Sequence, residues 1–485
     1  MSGRPHRHTW FATSAAFALA LTGCALPSPD SREQLAAASA PNRQVPAQWQ
    51  AGSARPGSSN MAVGDQWLQS FNDPQLDALV KEALAYNPDL QSAAARVEQA
   101  AAYQQIAGGL LYPQVNLLAR GGGKLSGDAS GIEGFGLFVN WELDLWGRVR
   151  AGAAAAQAQA SSAALDAEYA RQSLAAQVAK GWFLATEARL QLALAQETLN
   201  ASVQLEYLAR ERLRIGVGDE YDLRLAQANL NTLRDTVQSL ELSYQQAQRS
   251  LETLAGRYPG AALPVASTLA PMGVPVPTGV PSSLLERRPD VVAAERRVAA
   301  AFYNTEQAKA ARLPRLALSG AVTSISSEMF VLQERDNPVW SLGGAITAPL
   351  FAGGQLQGQV TLRTAEQKQA LADYGRTGAK AFAEVENALA SSATLVAREK
   401  VLAQVVNDNQ STLALAETRY RVGSTDLRAV LQQKLALYAA QVSLLHVRSD
   451  QRVQRVNLHL ALGGSFDDGA ASSSVAEASE APAKP

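Results

Sequence analysis

The sequence predicts a mainly α-helical chain that also carries strands suited to a membrane β-barrel, built as a tandem duplication. Three observations predict it. In 226–254 the apolar residues Ala226, Leu230, Leu233, Val237, Leu240, Tyr244, Ala247, Leu251 and Leu254 recur in alternating steps of four and three. That is a 3.5-residue seam, the pattern of helices that pack along their length. In 135–145, Phe135, Leu137, Val139, Trp141, Leu143 and Leu145 alternate with a mostly polar set, which is the period of a strand. Both patterns return about 200 residues later, with the motifs that flank them.

The first 23 residues carry Arg4, Arg7 and two histidines, then a short apolar run from Trp10 to Leu21, then Leu21-Thr22-Gly23-Cys24. This resembles a bacterial lipoprotein signal peptide, which implies cleavage before Cys24 and a covalent lipid (diacylglyceryl and N-acyl) on that residue. Ala25, rather than Asp, follows the cysteine, which implies an outer-membrane destination. Residues 24–66, rich in Pro, Ser, Gly and Ala, read as a tether with little structure of its own.

The first repeat spans 67–256. A helix is expected from Pro74 to about Asn87, and a second from Pro88 to about Leu111, each with proline at its first turn. Strands follow at 113–122 and 135–145. The intervening Gly121-Gly122-Gly123-Lys124-Leu125-Ser126 is a flexible loop; it fails as a phosphate loop because Leu118 and Leu125 stand where Gly and Ser/Thr are needed. A helical hairpin fills 147–256, its first arm some 65 residues, or roughly 100 Å at 1.5 Å per residue. Its turn is Arg212-Leu213-Arg214-Ile215-Gly216.

Residues 257–282 are Pro-rich and read as a linker. The second repeat, 283–464, then restates the first. Asn87-Pro88-Asp89-Leu90 returns as Arg288-Pro289-Asp290-Val291, and Tyr112-Pro113 as Leu313-Pro314. Strands are expected at 314–322 and 339–350, and a hairpin at 354–462 whose turn is Arg419-Tyr420-Arg421-Val422-Gly423. Its return arm carries Leu431, Leu435, Tyr438, Val442 and Leu445 as a second seam. The tail, 465–485, is low-complexity and expected to be disordered.

Composition narrows the function classes. A formal net charge of −1 gives no electrostatic case for nucleic acid. The single cysteine excludes an intrachain disulfide and a cysteine zinc site. Of the four histidines, His6 and His8 lie in the leader, and His446 and His459 stand apart on one helix, so no metal site, catalytic set or dissociable cofactor is expected. No segment has the 18 apolar residues of a transmembrane helix, so any crossing falls to the strands. Four strands cannot close a barrel, and an open edge is not tolerated in lipid. Sharing them between chains gives eight strands in a dimer or twelve in a trimer, and only the larger ring leaves a water-filled bore. A soluble α+β domain with an antiparallel coiled coil, a periplasmic scaffold, is the alternative at this point.

Phe71-Asn72-Asp73-Pro74, Asn87-Pro88-Asp89-Leu90, Trp141-Glu142-Leu143-Asp144-Leu145-Trp146-Gly147-Arg148, Arg287-Arg288-Pro289-Asp290, Pro349-Leu350-Phe351-Ala352-Gly353-Gly354 and Gln454 to Gly464 occur in order along the chain. Through them it resembles the TolC-like outer-membrane factors, in particular the NodT-type lipoproteins of resistance–nodulation–division (RND) efflux systems. The resemblance implies a homotrimer with a 12-strand outer-membrane barrel and a periplasmic α-helical barrel. It implies a passive exit duct, served by a periplasmic adaptor protein and an inner-membrane RND pump and held among outer-membrane lipids. The exit of a type I protein secretion system would share the architecture. The resemblance further implies adaptor docking at tip glycines Gly216 and Gly423, and a hydrogen-bonded gate between Asp222 and Tyr420. Acidic residues usual after the second tip are replaced here by Ala429 and Gln432, which leaves Asp219, Glu220 and Asp426 as candidates for an acidic mouth.

Overall fold

The computed structural model describes residues 26–42, 44–51, 65–120, 133–273, 275–326 and 339–466. The leader, Cys24, the loop at 121–126 and the tail from 467 lie outside the described residues. The helices are α1 (Arg32–Ser39), α2 (Pro74–Tyr86), α3 (Pro88–Gly109), α4 (Arg148–Arg214), α5 (Glu220–Leu254), α6 (Leu284–Arg287), α7 (Pro289–Ala310), α8 (Gln355–Arg421) and α9 (Leu427–Ala461). The strands are β1 (Gln114–Arg120), β2 (Glu133–Leu143), β3 (Arg315–Ser326) and β4 (Val339–Thr347). The duplication is quantitative: α4 and α8 have 67 residues each, and α5 and α9 have 35 each. The chain forms two compact units, one of residues 1–43, 96–164 and 293–376, the other of 44–95, 165–292 and 377–485.

The first unit holds the sheet, with strand order β1-β2-β3-β4 and every pairing antiparallel. The strands differ from expectation at their ends. β2 stops at Leu143 because Asp144 turns to accept the backbone N–H groups of Val149 and Arg150 at 3.1 and 2.8 Å, capping the start of α4. β4 stops at Thr347, just short of Pro349, which has no N–H to give a ladder. β3 runs four residues beyond the expected 322. Helix α1 corrects the expectation of a structureless tether. Ser31 and Gln34 form a capping box, Leu35 is buried, and Arg32 bonds Glu295 at 2.7 Å. Ser39 lies so close to α8 that a Cβ on Gly375 would stand 2.8 Å from its carbonyl oxygen.

The second unit is assembled around a core in which Phe71, Leu76, Val178, Phe183, Leu251 and Val456 are buried together. The Phe71–Pro74 motif builds its entrance. Phe71 enters the core, and the Asp73 carboxylate caps α2 through the N–H groups of Gln75 and Leu76 at 3.1 and 3.2 Å. Its other oxygen accepts Nε1–H of the buried Trp182 at 2.8 Å. Asn87 caps α3 in the same way and reaches across to the Leu254 carbonyl at 3.0 Å. In the second repeat Arg288 takes the place of Asn87. It is buried, bidentate to Asp290 at 3.0 and 2.8 Å, and bonded to Glu384 at 2.6 Å and the Ala461 carbonyl at 3.2 Å.

The Pro-rich segment after α5 is fastened down rather than free to swing. Glu252 accepts the backbone N–H groups of Ala261, Ala262 and Leu263 at 2.7–2.9 Å, and Leu263 and Val265 enter the core. The tether also packs here: Trp49 is buried, and its Nε1–H donates to the Thr278 carbonyl at 3.1 Å. The seam of α5 is buried at Ala226, Leu230, Leu233, Val237 and Leu251. That of α9 needs correction. Leu431 is buried as expected, but Leu435 is 46% exposed, and the rest of the buried stripe runs through Leu427, Val430, Ala440, Leu444 and Val447. A helix covered on more than one side buries a broader stripe than one seam, so several registers fit its sequence.

Candidate functional site

Two parts of the chain can carry a transport function, the sheet in the first unit and the paired hairpin tips in the second. Cross-strand register determines the faces of the sheet, since residues directly opposite each other point the same way. Leu117 pairs with Leu137, Leu137 with Val322, and Val322 with Trp340. Val115 pairs with Val139, Val139 with Gly320, and Gly320 with Leu342. One face is therefore predominantly apolar across all four strands, with Ser324 opposite Phe135 near one end. The other carries Asn116, Asn140, Ser319, Ser341 and Gly343 and is mostly small or polar, with Leu118, Phe138 and Val339 as its large apolar members.

Among the described residues nothing covers the outer part of the apolar face: Leu342 is 89% exposed and Trp340 76%. A soluble domain would bury such a surface under helices, so the α+β alternative fails here. Tryptophans fix the sheet where the strands join the helices. Trp141 Nε1–H donates to the Leu111 carbonyl at 3.0 Å, and that of Trp146 to the Pro314 carbonyl at 2.7 Å. Among the described residues the outer edges of β1 and β4 have no partner strand, and no helix is long and apolar enough to cross a membrane. The arrangement is a section of a barrel wall, apolar outside and mostly polar within.

At the tips, α4 passes into α5 through Gly216 and α8 into α9 through Gly423, at φ +81° and +77°. These left-handed turns close on themselves: Gly218 N–H bonds the Arg212 carbonyl at 3.0 Å, and Ser424 N–H the Arg419 carbonyl at 2.9 Å. Among the described residues, nothing beyond the adjoining residues lies within 4 Å of a Cβ placed on either glycine, so both backbones are open to approach. Leu205, Ala209 and Ala226 pack with Tyr420, Leu427, Val430 and Leu431, which holds the two tips side by side.

Several expected site residues also do local structural work. Asp219 and Asp426 are N-caps, accepting from Asp222 N–H at 2.8 Å and Ala429 N–H at 3.0 Å. Glu220 pairs with Arg224 at 3.0 Å, and Gln432 is exposed. The expected Asp222–Tyr420 hydrogen bond is not made within the chain. Tyr420 is buried, and its hydroxyl has no hydrogen-bond partner. Its ring lies instead beneath the Arg212 guanidinium, 4.8 Å from the centroid. Asp222 stands in the same cluster. Burial raises the pKa of its carboxyl, Asp219 and Asp426 raise it further, and Arg212 and Arg428 oppose them. Arg212 was visible in the sequence only as one end of a repeated turn motif. Its role depends on a ring 208 positions away. Among the described residues no group of His, Cys, Asp and Glu is arranged to hold a metal ion.

Known proteins place this geometry. The outer-membrane protein OpmQ of Pseudomonas putida KT2440, named for pyoverdine export, is 33% identical over 92% of this chain and 96% of its own. The cation efflux system protein CusC of Escherichia coli O6:H1 is 30% identical over 93% of this chain and 97% of its own. The solved structure of the outer-membrane channel OprN superposes with a TM-score of 0.80, at 27% identity over 92% of this chain and 99% of that one. The model of the family described as outer membrane efflux protein matches residues 79–257 and 280–464, one block for each repeat. With both repeats matched and the fold shared along nearly the whole length, the chain belongs to the outer membrane efflux protein family.

Proposed function

We propose that this outer-membrane efflux channel is the exit duct of a tripartite pump of the RND type. Three copies close into a 12-strand barrel, and a periplasmic adaptor docks at the hairpin tips. The observation that carries the reading is the four-stranded sheet with one predominantly apolar face and, among the described residues, two unpaired edges. In lipid those edges must be paired, and copies of the same chain supply matching ones. Two copies would give eight strands and an interior filled by side chains, whereas three leave a bore.

The duplication supports ring closure independently. α7 buries Val298, Ala300, Ala308 and Ala310, and its Thr305 hydroxyl bonds the Arg363 carbonyl of α8 at 3.1 Å. α3, its counterpart in the first repeat, buries no residue at all. The neighbours that α7 finds within the chain are what a second copy would provide for α3. Adaptor docking draws on the open approach to Gly216 and Gly423. Lipidation at Cys24 draws on the leader, and on Leu26, which lies against Gly147 where β2 passes into α4. Relatives named for pyoverdine export and for cation efflux share this fold while differing in cargo. Selection therefore falls to the pump, and the duct passes small molecules by diffusion.

Reconstitution of the detergent-purified protein into planar bilayers tests the reading. Stepwise single-channel conductance is expected. A protein that stays soluble without detergent and gives no conductance would overturn it.

A further inference from the structure

Away from the sheet and the tips, one titratable side chain joins helices of different hairpins. Nδ1 of His446, on α9, lies 2.8 Å from Oε1 of Glu187 on α4. Its Nε2 lies 3.4 Å from Oδ2 of Asp450, one turn further along α9. The Glu187 side chain is 8% exposed, whereas the imidazole is 55% exposed and open to water. The same Glu187 oxygen accepts Nε2–H of Gln191 at 2.8 Å, and the other is buried with no hydrogen-bond partner among the described residues.

α9 is tied to its own hairpin partner by different chemistry. Arg448 Nε–H and Gln451 Nε2–H, on α9, both donate to Glu399 of α8, each at 2.9 Å. Gln451 also reaches the Leu395 carbonyl of α8 at 3.2 Å. Burial acts against the Glu399 carboxylate, but the bonds from Gln451 and Arg448 outweigh it and hold its pKa below the usual range. That joint stays charged throughout the neutral range. Only the joint to α4 contains a group that titrates there.

We propose that His446 is a proton-operated clamp between the two helical hairpins. An imidazolium has two N–H groups and can donate to Glu187 and Asp450 together, whereas neutral imidazole has one. Loss of the proton also leaves the buried Glu187 carboxylate without its cation. The charged groups facing His446 are Glu187 from α4, Asp450 from α9 and Arg398 from α8. The bond to Glu187 raises the pKa of His446 above 6.5, burial opposes it, the charges of Glu187 and Asp450 add to the rise, and Arg398 subtracts. A raised folded-state pKa means that the clamp is fully engaged below the unfolded value and is lost as pH climbs through the folded one. Acid therefore tightens the joint between α4 and α9, and alkali loosens it. Ser449 Oγ–H, which donates to the Phe183 carbonyl at 3.4 Å, keeps the helices in contact after release. The clamp concerns the chain's own hairpins and holds whatever docks at the tips.

Amide hydrogen exchange on the assembled full-length protein, corrected for intrinsic pH dependence, tests it between about pH 5.5 and about pH 9. The segments to follow are 183–191 and 442–452, with 395–403 of α8 as the reference. In the wild type, exchange in the first two rises several-fold through a single transition above about pH 6.5, and the reference stays flat. His446→Gln and Glu187→Gln each abolish the transition. An unchanged transition in His446→Gln, or none in the wild type, would overturn the clamp.

Discussion

Arg288 is where a short sequence motif becomes a mechanical joint. It opens α7, grips Asp290 two residues on, and holds Glu384 on α8 and the last-turn carbonyl of Ala461 on α9. Removing the guanidinium leaves Asp290, well shielded from water, without its cation, and leaves Glu384 only Lys380 at 3.8 Å. Breaking a buried pair typically costs about 3–5 kcal/mol, and the partial exposure of Glu384 puts this case at the lower end. Arg288→Ala should therefore lower the thermal midpoint of the assembled protein clearly, while Arg287→Ala, at a half-buried neighbour whose pair with Asp65 is partly exposed, should lower it far less. Equal midpoints for the two variants would remove Arg288 from this role. The motif at 287–290 was legible in the sequence; the partners at 384 and 461 were not, because they lie about 100 and 170 positions away. The tip acids carry a role that the repeated turn motif did not point to. Asp219 and Asp426 each stand just before a helix whose first-turn N–H groups need an acceptor, and each caps it.

At the scale of the elements, local chemistry carried most of the fold. Period-two alternation located all four strands, and proline at the first turn located the starts of α2, α3 and α7. Helix α1 was hidden by a composition of small and polar residues. Its one local signal was Ser31 three residues before Gln34, the spacing of a capping box. The α9 stripe was misread because a helix with several neighbours satisfies more than one apolar register. The sheet makes the sharpest prediction at this scale. Leu137 lies on the apolar face, opposite Val322, and Ser319 lies on the polar face, opposite Asn140. A charge facing lipid near mid-membrane costs about 2–4 kcal/mol, and one facing the lumen far less. Leu137→Arg should deplete assembled protein from outer-membrane fractions, and Ser319→Arg should leave its amount unchanged while altering ion selectivity in bilayers. The reverse ranking would mean that the faces are assigned the wrong way round.

For the whole molecule, the duplication is the organising fact. Two repeats of helix, strand pair and long hairpin yield four strands in one sheet, and a helix, α3, that buries nothing where its twin α7 is packed. Both deficits have one remedy, further copies of the same chain around a common axis. The need for partners was legible from four strands and an apolar pattern alone. Their number rests on the bore that a polar inner face requires. Native mass spectrometry of the protein released from detergent micelles tests this most directly. Three chains per particle, dissociating on heating, is the result the account predicts. A particle of one chain, or of two, would contradict it.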